Sequence, residues 1–462
     1  MLEQIHFKGR LELLSPLHAG TGEFTPLGEI GVIDQEKLPA AASADEAPPE
    51  QLVARVARDD KGLPCIPVAS LKGCLLSACR QAVIDSGQLA ELFGEISDHT
   101  DESGRMGRLL LGLARADEQS IEDIGQPDLP HYDAARASYL LPRVSIDRDR
   151  GTAKEHHLFM QELVPAGVRF CFSGIYLGCV DDFKEEALPV LAVLVRPEGV
   201  SLGKGQGLGQ GRLRLEPESL KAERIYFDPW KFCKERHPLE VKLVPAADAA
   251  GQTYQLTLKC EGPFLITDPS RAGKKGDAQD PAIKALQEAE GKPLLLPSSL
   301  LGVLRSKMAW RQALKSDVGI DEATQIDDPD RKPSSWADPG ELTVTERLFG
   351  VTGWRKLLKV KAIELKGKPQ TVQITSVALD RFTQGPIDGA LFTTEAYLGV
   401  EYQIVLELES RGGRGAKNED DKAAWEDLLE YLEEDGLVLG HGGAKGFGWF
   451  EVTREGGDHG RA

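Results

Sequence analysis

The sequence predicts an α+β protein built from two tandem copies of one unit, and three observations predict it. Its 462 residues exceed what one ordinary hydrophobic core holds together, so two domains of roughly 200 residues each are expected. Short landmarks recur in the same order in both halves, at offsets between 229 and 256 residues. Each half also gives the same succession of strand-like and helix-like segments.

The landmarks carry the duplication. SIDRDRGTAKEHHLFMQE starts at Ser145 and ALDRFTQGPIDGALFTTE at Ala378; each holds Asp-Arg, with Leu eleven residues and Glu fifteen residues after the Asp. CIPVASLKGCLLSACR from Cys65 answers to LLLPSSLLGVLRSKMAWR from Leu294, and ELFG at Glu91 to RLFG at Arg347. LGKGQGLGQGRL from Leu202 answers to LGHGGAKGFGWF from Leu439, setting Gly203, Gly205, Gly209 and Gly211 against Gly440, Gly442, Gly446 and Gly448. The expected boundaries are a first domain over 1–222, a linker over 223–250 and a second domain over 251–462.

Each unit opens with a half-alternating strand, IHFKGRLELLS or TYQLTLKCEG. A long insert follows, then a Pro-bounded segment and a helix expected to start at a serine cap, Ser70 or Ser299. That helix buries Leu71, Leu75 and Ala78, or Leu300, Val303 and Leu304. GVRFCFSGIYLG and VEYQIVLELE read as later strands. EEALPVLAVLVR and AAWEDLLEYLEE read as the second helices, ahead of the closing glycine loops. Strand, helix, strands, helix, strand is the order of a ferredoxin-like or RNA-recognition-type domain. Inserts at 31–62, 96–106 and 317–343 read as loops.

Composition narrows the setting. No apolar run approaches the about 18 residues that cross a bilayer, and MLEQIHFKGRLELL lacks the features of a secretory signal. Seven cysteines without a Cys-x-x-Cys pair read as reduced thiols, so a cytoplasmic protein with no membrane partner is expected. The net charge of −18 disfavours broad coating of nucleic acid but is uneven. Residues 418–435 hold nine acids and one lysine, whereas 344–361 hold five bases and one acid, and 201–214 three bases and no acid. The local field decides polyanion binding.

Several residues are candidates for chemistry. The closing loops let backbone N–H groups approach an anion, with Lys204 and Lys445 adding charge; a tight turn between packed elements is the alternative. Ser70 and Ser299 open helices whose first N–H groups suit a phosphate, with Lys72 beside one and Arg80 and Arg305 further along. The repeated phrase, free in sequence but fixed in length, suggests a projecting hairpin. Asp147–Arg148 and Asp380–Arg381 would stand at its base, and Leu158–Phe159 and Leu391–Phe392 would return to the core or wedge against something apolar. Acids in the loops after the opening strands, Asp280 and Asp34, suit a hard divalent cation held against a phosphate. His18, or His156 and His157, would serve instead as a base.

Together LLSPLHAGTGE, PCIPVASLKGCLLSACR, ELFG, VSIDRDRGTAKEHHLFMQELVPAG and the glycine loop resemble the RAMP superfamily, and more narrowly the backbone subunits of type III CRISPR effector complexes, here fused in pairs. The resemblance implies a modified RNA-recognition fold bound to guide RNA and target RNA alongside other CRISPR effector subunits. Thumb-like hairpins, here 148–157 and 381–390, would interrupt the guide–target duplex. The guide backbone would follow Ser70, Lys72, Lys204, Gly205 and Gly209 in one unit and Ser299, Arg305, Lys445 and Gly446 in the other. It also implies a loop aspartate that promotes cleavage of target RNA dependent on a divalent metal ion, Mg²⁺ being the expected one, nominating Asp280 as catalyst and metal ligand, with Asp268 as rival. In the first unit that position falls on Gly31 and Asp34 is displaced by three residues, which points to a binding-only copy. The competing readings are a non-cutting backbone subunit and a guide-processing ribonuclease using His18 or His156.

Overall fold

The computed structural model describes residues 3–26, 30, 52–82, 84–95, 104–127, 129, 131–146, 153–228, 233–244, 251–268, 281–287, 291–315, 339–351, 354–410 and 417–455. In β1 (Glu3–Leu13), Ile5, Phe7, Leu11 and Leu13 point inward, every second side chain falling on one face of the strand. Strands β2 (Gly20–Pro26), β3 (Leu52–Val56) and β4 (Cys65–Ile66) follow, then helices α1 (Val68–Gln81) and α2 (Ser86–Phe93). A short pair, β5 (Gly94–Glu95) with β6 (Arg105–Met106), precedes β7 (Leu109–Leu111), β8 (Ala114–Ala116) and α3 (Glu118–Ile124). Strands β9 (Tyr139–Ile146) and β10 (Ala153–Leu163) form a hairpin, and β11 (Arg169–Tyr176) returns along β1. A helical run over 180–195 leads through β12 (Val200–Ser201) to β13 (Arg212–Leu215). Where the units join, β14 (Lys221–Asp228) pairs with β1 and β15 (Cys233–Leu239) with β14.

The second unit repeats the plan. Strand β16 (Gln252–Cys260) is followed by α4 (Pro297–Lys315), α5 (Val344–Phe349) and β17 (Leu358–Lys366). The hairpin β18 (Gln370–Leu379) and β19 (Pro386–Leu398) leads to β20 (Val400–Leu408), α6 (Asn418–Asp435), β21 (Leu437–Val438) and β22 (Trp449–Arg454). In both sheets the opening strand lies between the closing strand and the strand after the hairpin: β1 between β13 and β11, β16 between β22 and β20. All these pairs are antiparallel, the order of a ferredoxin-like sheet. The expected α+β fold with two such units and projecting hairpins is the fold observed.

Each sheet packs its helices on one face. Leu71, Leu75 and Ala78 of α1 share a core with Phe183, Val190, Leu191 and Leu194 of the run over 180–195. Leu300, Leu304 and Met308 of α4 share the other with Trp425, Leu428, Leu429 and Leu432 of α6. Trp425 is wholly buried, so the acid-rich 418–435 stretch is an amphipathic helix with one apolar face. No described helix is long and apolar enough to cross a membrane.

One local expectation fails. The serines do not cap their helices: Pro67 occupies the N-cap of α1, which begins at Val68, and α4 begins at Pro297. Proline lacks the N–H that a first turn leaves unpaired, and its fixed φ suits the helix start. Ser70 and Ser299 therefore sit inside the first turns.

The units also touch. Leu208, in the first closing loop, packs against the core of the second unit, and Arg212 donates from Nη1 to Lys361 O at 2.9 Å. Leu296 of the second unit packs against Tyr139, Leu141 and Leu163 at the foot of the first hairpin.

Candidate nucleic-acid interface

Five segments of the first unit meet around a cavity of about 340 Å³. The turn after β1 supplies His18 and Ala19, β2 and β3 supply Glu23, Phe24 and Arg55, the first turn of α1 supplies Ser70, and the closing loop supplies Lys204. His18 is buried; its Nδ1 lies 2.8 Å from Glu162 O, and since a carbonyl only accepts, Nδ1 carries the proton. Nε2 faces Gly20, where a Cβ would stand 2.7 Å away. Lys204 is exposed and Phe24 is 61% exposed. A cation and an open aromatic ring beside a helix start offer a phosphate a charge and a base a stacking face.

Glu162 holds the cavity's wall together. Its Oε2 accepts from Arg55 Nε and Val56 N, both at 2.9 Å, and its Oε1 from Ser138 Oγ at 2.7 Å and Arg58 Nη2 at 2.5 Å. Burial alone would raise its pKa, but Arg58 and the converging donors outweigh that and hold it below the usual carboxylate range. The Glu that ends the repeated phrase is thus the clamp between the hairpin and β3. Its counterpart Glu395 holds a lighter clamp among the described residues, accepting from Gln287 Nε2 at 3.2 Å through its side chain.

All eight matched glycines of the closing loops have positive φ. Here the tight-turn reading describes the backbone. Lys204 N donates to His18 O and Gly211 N to Pro16 O; in the second unit His441 N donates to Leu265 O and Gly448 N to Pro263 O. A Cβ at Gly211 or Gly448 would fall 1.8 Å from Leu202 O or Leu439 O, so close backbone approach demands glycine there. The amides of 208–211 and of 445–448 are engaged within their own folds rather than aimed at an anion. The equivalences also show that Lys204 corresponds to His441, whereas Lys445 corresponds to Leu208.

Two expected phosphate contacts have structural work. Lys72 Nζ donates to Phe93 O at 2.6 Å at the end of α2, and Arg305 Nη1 to Gly350 O at 2.8 Å at the end of α5. A cation from the long helix satisfies the last carbonyls of the short one in both units. The basic stretch 344–361 is likewise paired internally: Arg347 with Asp421, Arg355 and Lys359 with Glu409, and Lys361 with Glu407. The acid-rich helix answers further bases, Arg311 with Asp427 and Arg454 with Glu426 and Glu433. Formal charge counts therefore overstate both the basic and the acidic segment, because folding brings them together.

The hairpins stand at equivalent places. Strands β18 and β19 pair from Gln370–Leu398 to Leu379–Pro386, a ribbon of roughly 30 Å at about 3.3 Å per residue. At its end Asp380 Oδ1 accepts from Phe382 N, Thr383 N and Thr383 Oγ1, and these bonds hold its pKa below the usual range. Asp380 thus closes the tip rather than the base. Arg381 is exposed, and Phe382 is 96% exposed at the tip. Phe392 lies under the Lys445 ammonium, 4.8 Å from its ring centre, and Leu391 is exposed. In the first unit, β9 and β10 pair up to Ile146–Ala153; Asp147 and Arg148 lie outside the described residues, and of Phe159 only the backbone is described, opposite Arg143.

Of the candidate catalytic acids, Asp34 and Asp280 lie outside the described residues. Asp268 is 3% exposed, its N–H donates to Lys284 O at 2.9 Å, and it faces His131 of the first unit, whose pKa burial lowers and Asp268 partly restores. A carboxylate so enclosed does not fit a metal ligand open to RNA. Among the described residues no group of three His, Cys, Asp or Glu suits a metal ion. Residues 281–287, directly after Asp280, are stapled to the second hairpin: Ile283 bridges Thr394, and Glu395 N donates to Ile283 O.

Phe24, Arg55, Glu162 as a clamp and Phe382 escaped sequence reasoning. Phe382 had a signal, an aromatic directly after the repeated Asp-Arg; Arg55 had none.

A family model described as the RAMP superfamily matches residues 10–214 and again residues 257–451. The chain belongs to the RAMP superfamily. The two matches fall on the two structural units, so the duplication is a pair of RAMP units in one polypeptide. RAMP proteins bind RNA and work in CRISPR complexes, and some are ribonucleases. No curated protein matches the chain.

Proposed function

We infer that this chain is a backbone subunit of a type III CRISPR ribonucleoprotein, in which its two RAMP units hold guide RNA and their hairpins shape the guide–target duplex. The observation that carries the reading is the pair of equivalent hairpins on equivalent cores, one ending in the exposed Phe382, with a Lys204–Phe24–Ser70 cavity in the first unit. Contacts to backbone and exposed base faces suit a protein that must accept many guides, because base pairing carries the sequence. The guide runs past Lys204 and Ser70 in the first unit and past Ser299 in the second.

Target cleavage is assigned to the second unit, with Asp280 as the carboxylate that works with a divalent ion; it directly precedes in sequence residues 281–287, which are anchored to the hairpin through Ile283 and Glu395. The first unit then binds without cutting. The buried His18, with Nδ1 tied to Glu162 O, acts as part of the cavity wall rather than as a processing base. The test is cleavage of a matched labelled RNA by the assembled complex with Mg²⁺. Regular internal cuts that vanish in Asp280→Ala while target binding persists support the assignment. Cuts that survive this variant leave a non-cutting backbone subunit. Precursor cleavage that is insensitive to chelator and lost in His18→Ala would replace both.

A further inference from the structure

The two sheets repeat one plan but present different charges on the face away from their helices. A strand turns every second side chain to that face, so the register fixes which residues share it. In the first sheet Lys8 of β1 stands opposite Lys221 of β14 and Ser173 of β11, Arg10 opposite Cys171, and Glu12 opposite Arg169 and Arg214. In the second, Gln255 stands opposite Val405, Thr257 opposite Gln403 and Thr453, and Lys259 opposite Glu401 and Glu451. The closing loops set the equivalence, since His18 O and Leu265 O accept from the matched amides of Lys204 and His441. Lys8 therefore corresponds to Gln255, Arg10 to Thr257, and the row Arg214–Glu12–Arg169 to Glu451–Lys259–Glu401. The charges of that row are inverted between the units.

Most charges on the first face are answered by a neighbour. Glu12 pairs with Arg214 at 2.9 Å, Glu216 with Arg10 at 3.1 Å and Arg169 at 2.8 Å, and Asp123 lies 3.8 Å from Arg169. At the rim Arg115 lies 3.8 Å from Asp59 and 3.9 Å from Asp60, and Glu223 lies 3.8 Å from Arg236. Lys8 and Lys221 differ. Both are exposed and directly opposed, and neither has an ion-pair partner among the described residues. Like charges opposed across a strand pair destabilise a sheet, and such a local conflict marks a position with another task. Arg10, its side chain 49% exposed, lies two residues along β1 on the same face, and the exposed Ser173 offers a hydroxyl beside Lys8. Together they offer an anion charge-assisted hydrogen bonds. The other outward neighbours, Cys171, His6 and Glu12, are small or polar, so a folded protein or a second copy would find no apolar centre to bury. A phosphate backbone needs none.

We propose that the open face of the first sheet, centred on Lys8, Arg10 and Lys221, binds the phosphate backbone of a single RNA strand along a second path, apart from the guide. Helix α1, whose first turn holds Ser70, packs on the opposite face of the same sheet. The contacts are to phosphate, so the face grips RNA without reading its sequence. The inference rests on sheet register and RAMP membership, and on neither the guide path nor cleavage. It is tested in the full chain with the photo-cross-linker p-benzoylphenylalanine at position 173 or, at the equivalent place of the second sheet, at position 405. Each chain is irradiated with labelled single-stranded oligouridine. Position 173 cross-links and position 405 does not. Lys8→Glu lowers the yield at position 173 about tenfold or more and its salt slope by about one, and Lys221→Gln lowers the yield severalfold. Both variants relieve the repulsion between the two lysines, so their melting temperatures equal or exceed the parent's and the loss is not one of folding. Lys204→Glu leaves the yield within about twofold, because that lysine belongs to the guide path. No cross-link at position 173, equal yields at 173 and 405, a yield that survives Lys8→Glu, or a cross-link between two copies of the chain overturns the proposal. So does a yield that collapses with Lys204→Glu, which would put the RNA in the guide path. A cross-link at 173 in a chain whose guide affinity ignores Lys204→Glu would sink the proposed guide path and leave this face standing.

Discussion

Replacing Glu162 by Gln tests whether the end of the repeated phrase is the clamp of the first hairpin. The carboxylate accepts four hydrogen bonds, from Arg55, Arg58, Val56 N and Ser138, and its side chain is 3% exposed. An amide of the same shape keeps one acceptor oxygen and turns an NH₂ toward two of those donors. Two charge-assisted bonds are lost at roughly 1.5 kcal/mol each, and two arginines lose their counter-charge, so Glu162→Gln destabilises the first unit by about 3–4 kcal/mol. For a unit of this size that is a fall of roughly 6–15 °C in its melting temperature, read by calorimetry on the full chain. The same change at Glu395, which among the described residues accepts one side-chain bond, from Gln287, costs about 1 kcal/mol or less. The pH dependence follows from the lowered pKa of Glu162. Its contribution is complete above the unfolded carboxylate value and is lost as pH falls through the lower folded value, and the Gln variant lacks this acid-side loss. A first-unit transition within about 2 °C of the parent, or equal effects at Glu162 and Glu395, would refute the clamp.

Gly448→Ala places a Cβ 1.8 Å from Leu439 O at φ +68°, whereas Gly446→Ala at φ +80° meets nothing within 4 Å. Urea denaturation should show a loss of about 3 kcal/mol or more for the first and about 1 kcal/mol for the second. Lys204→Glu should weaken guide RNA several-fold and lower the salt slope by about one, while Arg355→Glu, already paired with Glu409, leaves the slope unchanged; filter binding across a salt series measures both. Phe382→Ala, at 96% exposure, should change stability by less than about 0.5 kcal/mol yet weaken target capture by guide-loaded complex roughly tenfold, measured by mobility shift.

The duplication, the α+β class and the ferredoxin-like order were legible because burial leaves a periodic trace: Ile5, Phe7, Leu11 and Leu13 alternate along β1, and Trp425, Leu428 and Leu432 recur along α6. The hairpin was legible because a fixed spacing between Asp147 and Glu162 and between Asp380 and Glu395 is a constraint on length. The helix starts were misread because Ser70 and Pro67 both mark helix starts, and sequence alone does not rank them.

By itself the sequence determined that two copies of one unit lie in tandem, since order, spacing and glycine positions are properties of the chain. Only the tertiary structure decided which charges remain available. Arg347 meets Asp421 across 74 residues and Arg305 meets Gly350 across 45, partnerships that local sequence does not encode. It also decided that Leu208 packs, half-buried, on the second core while its counterpart Lys445 is exposed. Matched residues acquire different surroundings because the first closing loop meets the second unit of the same chain.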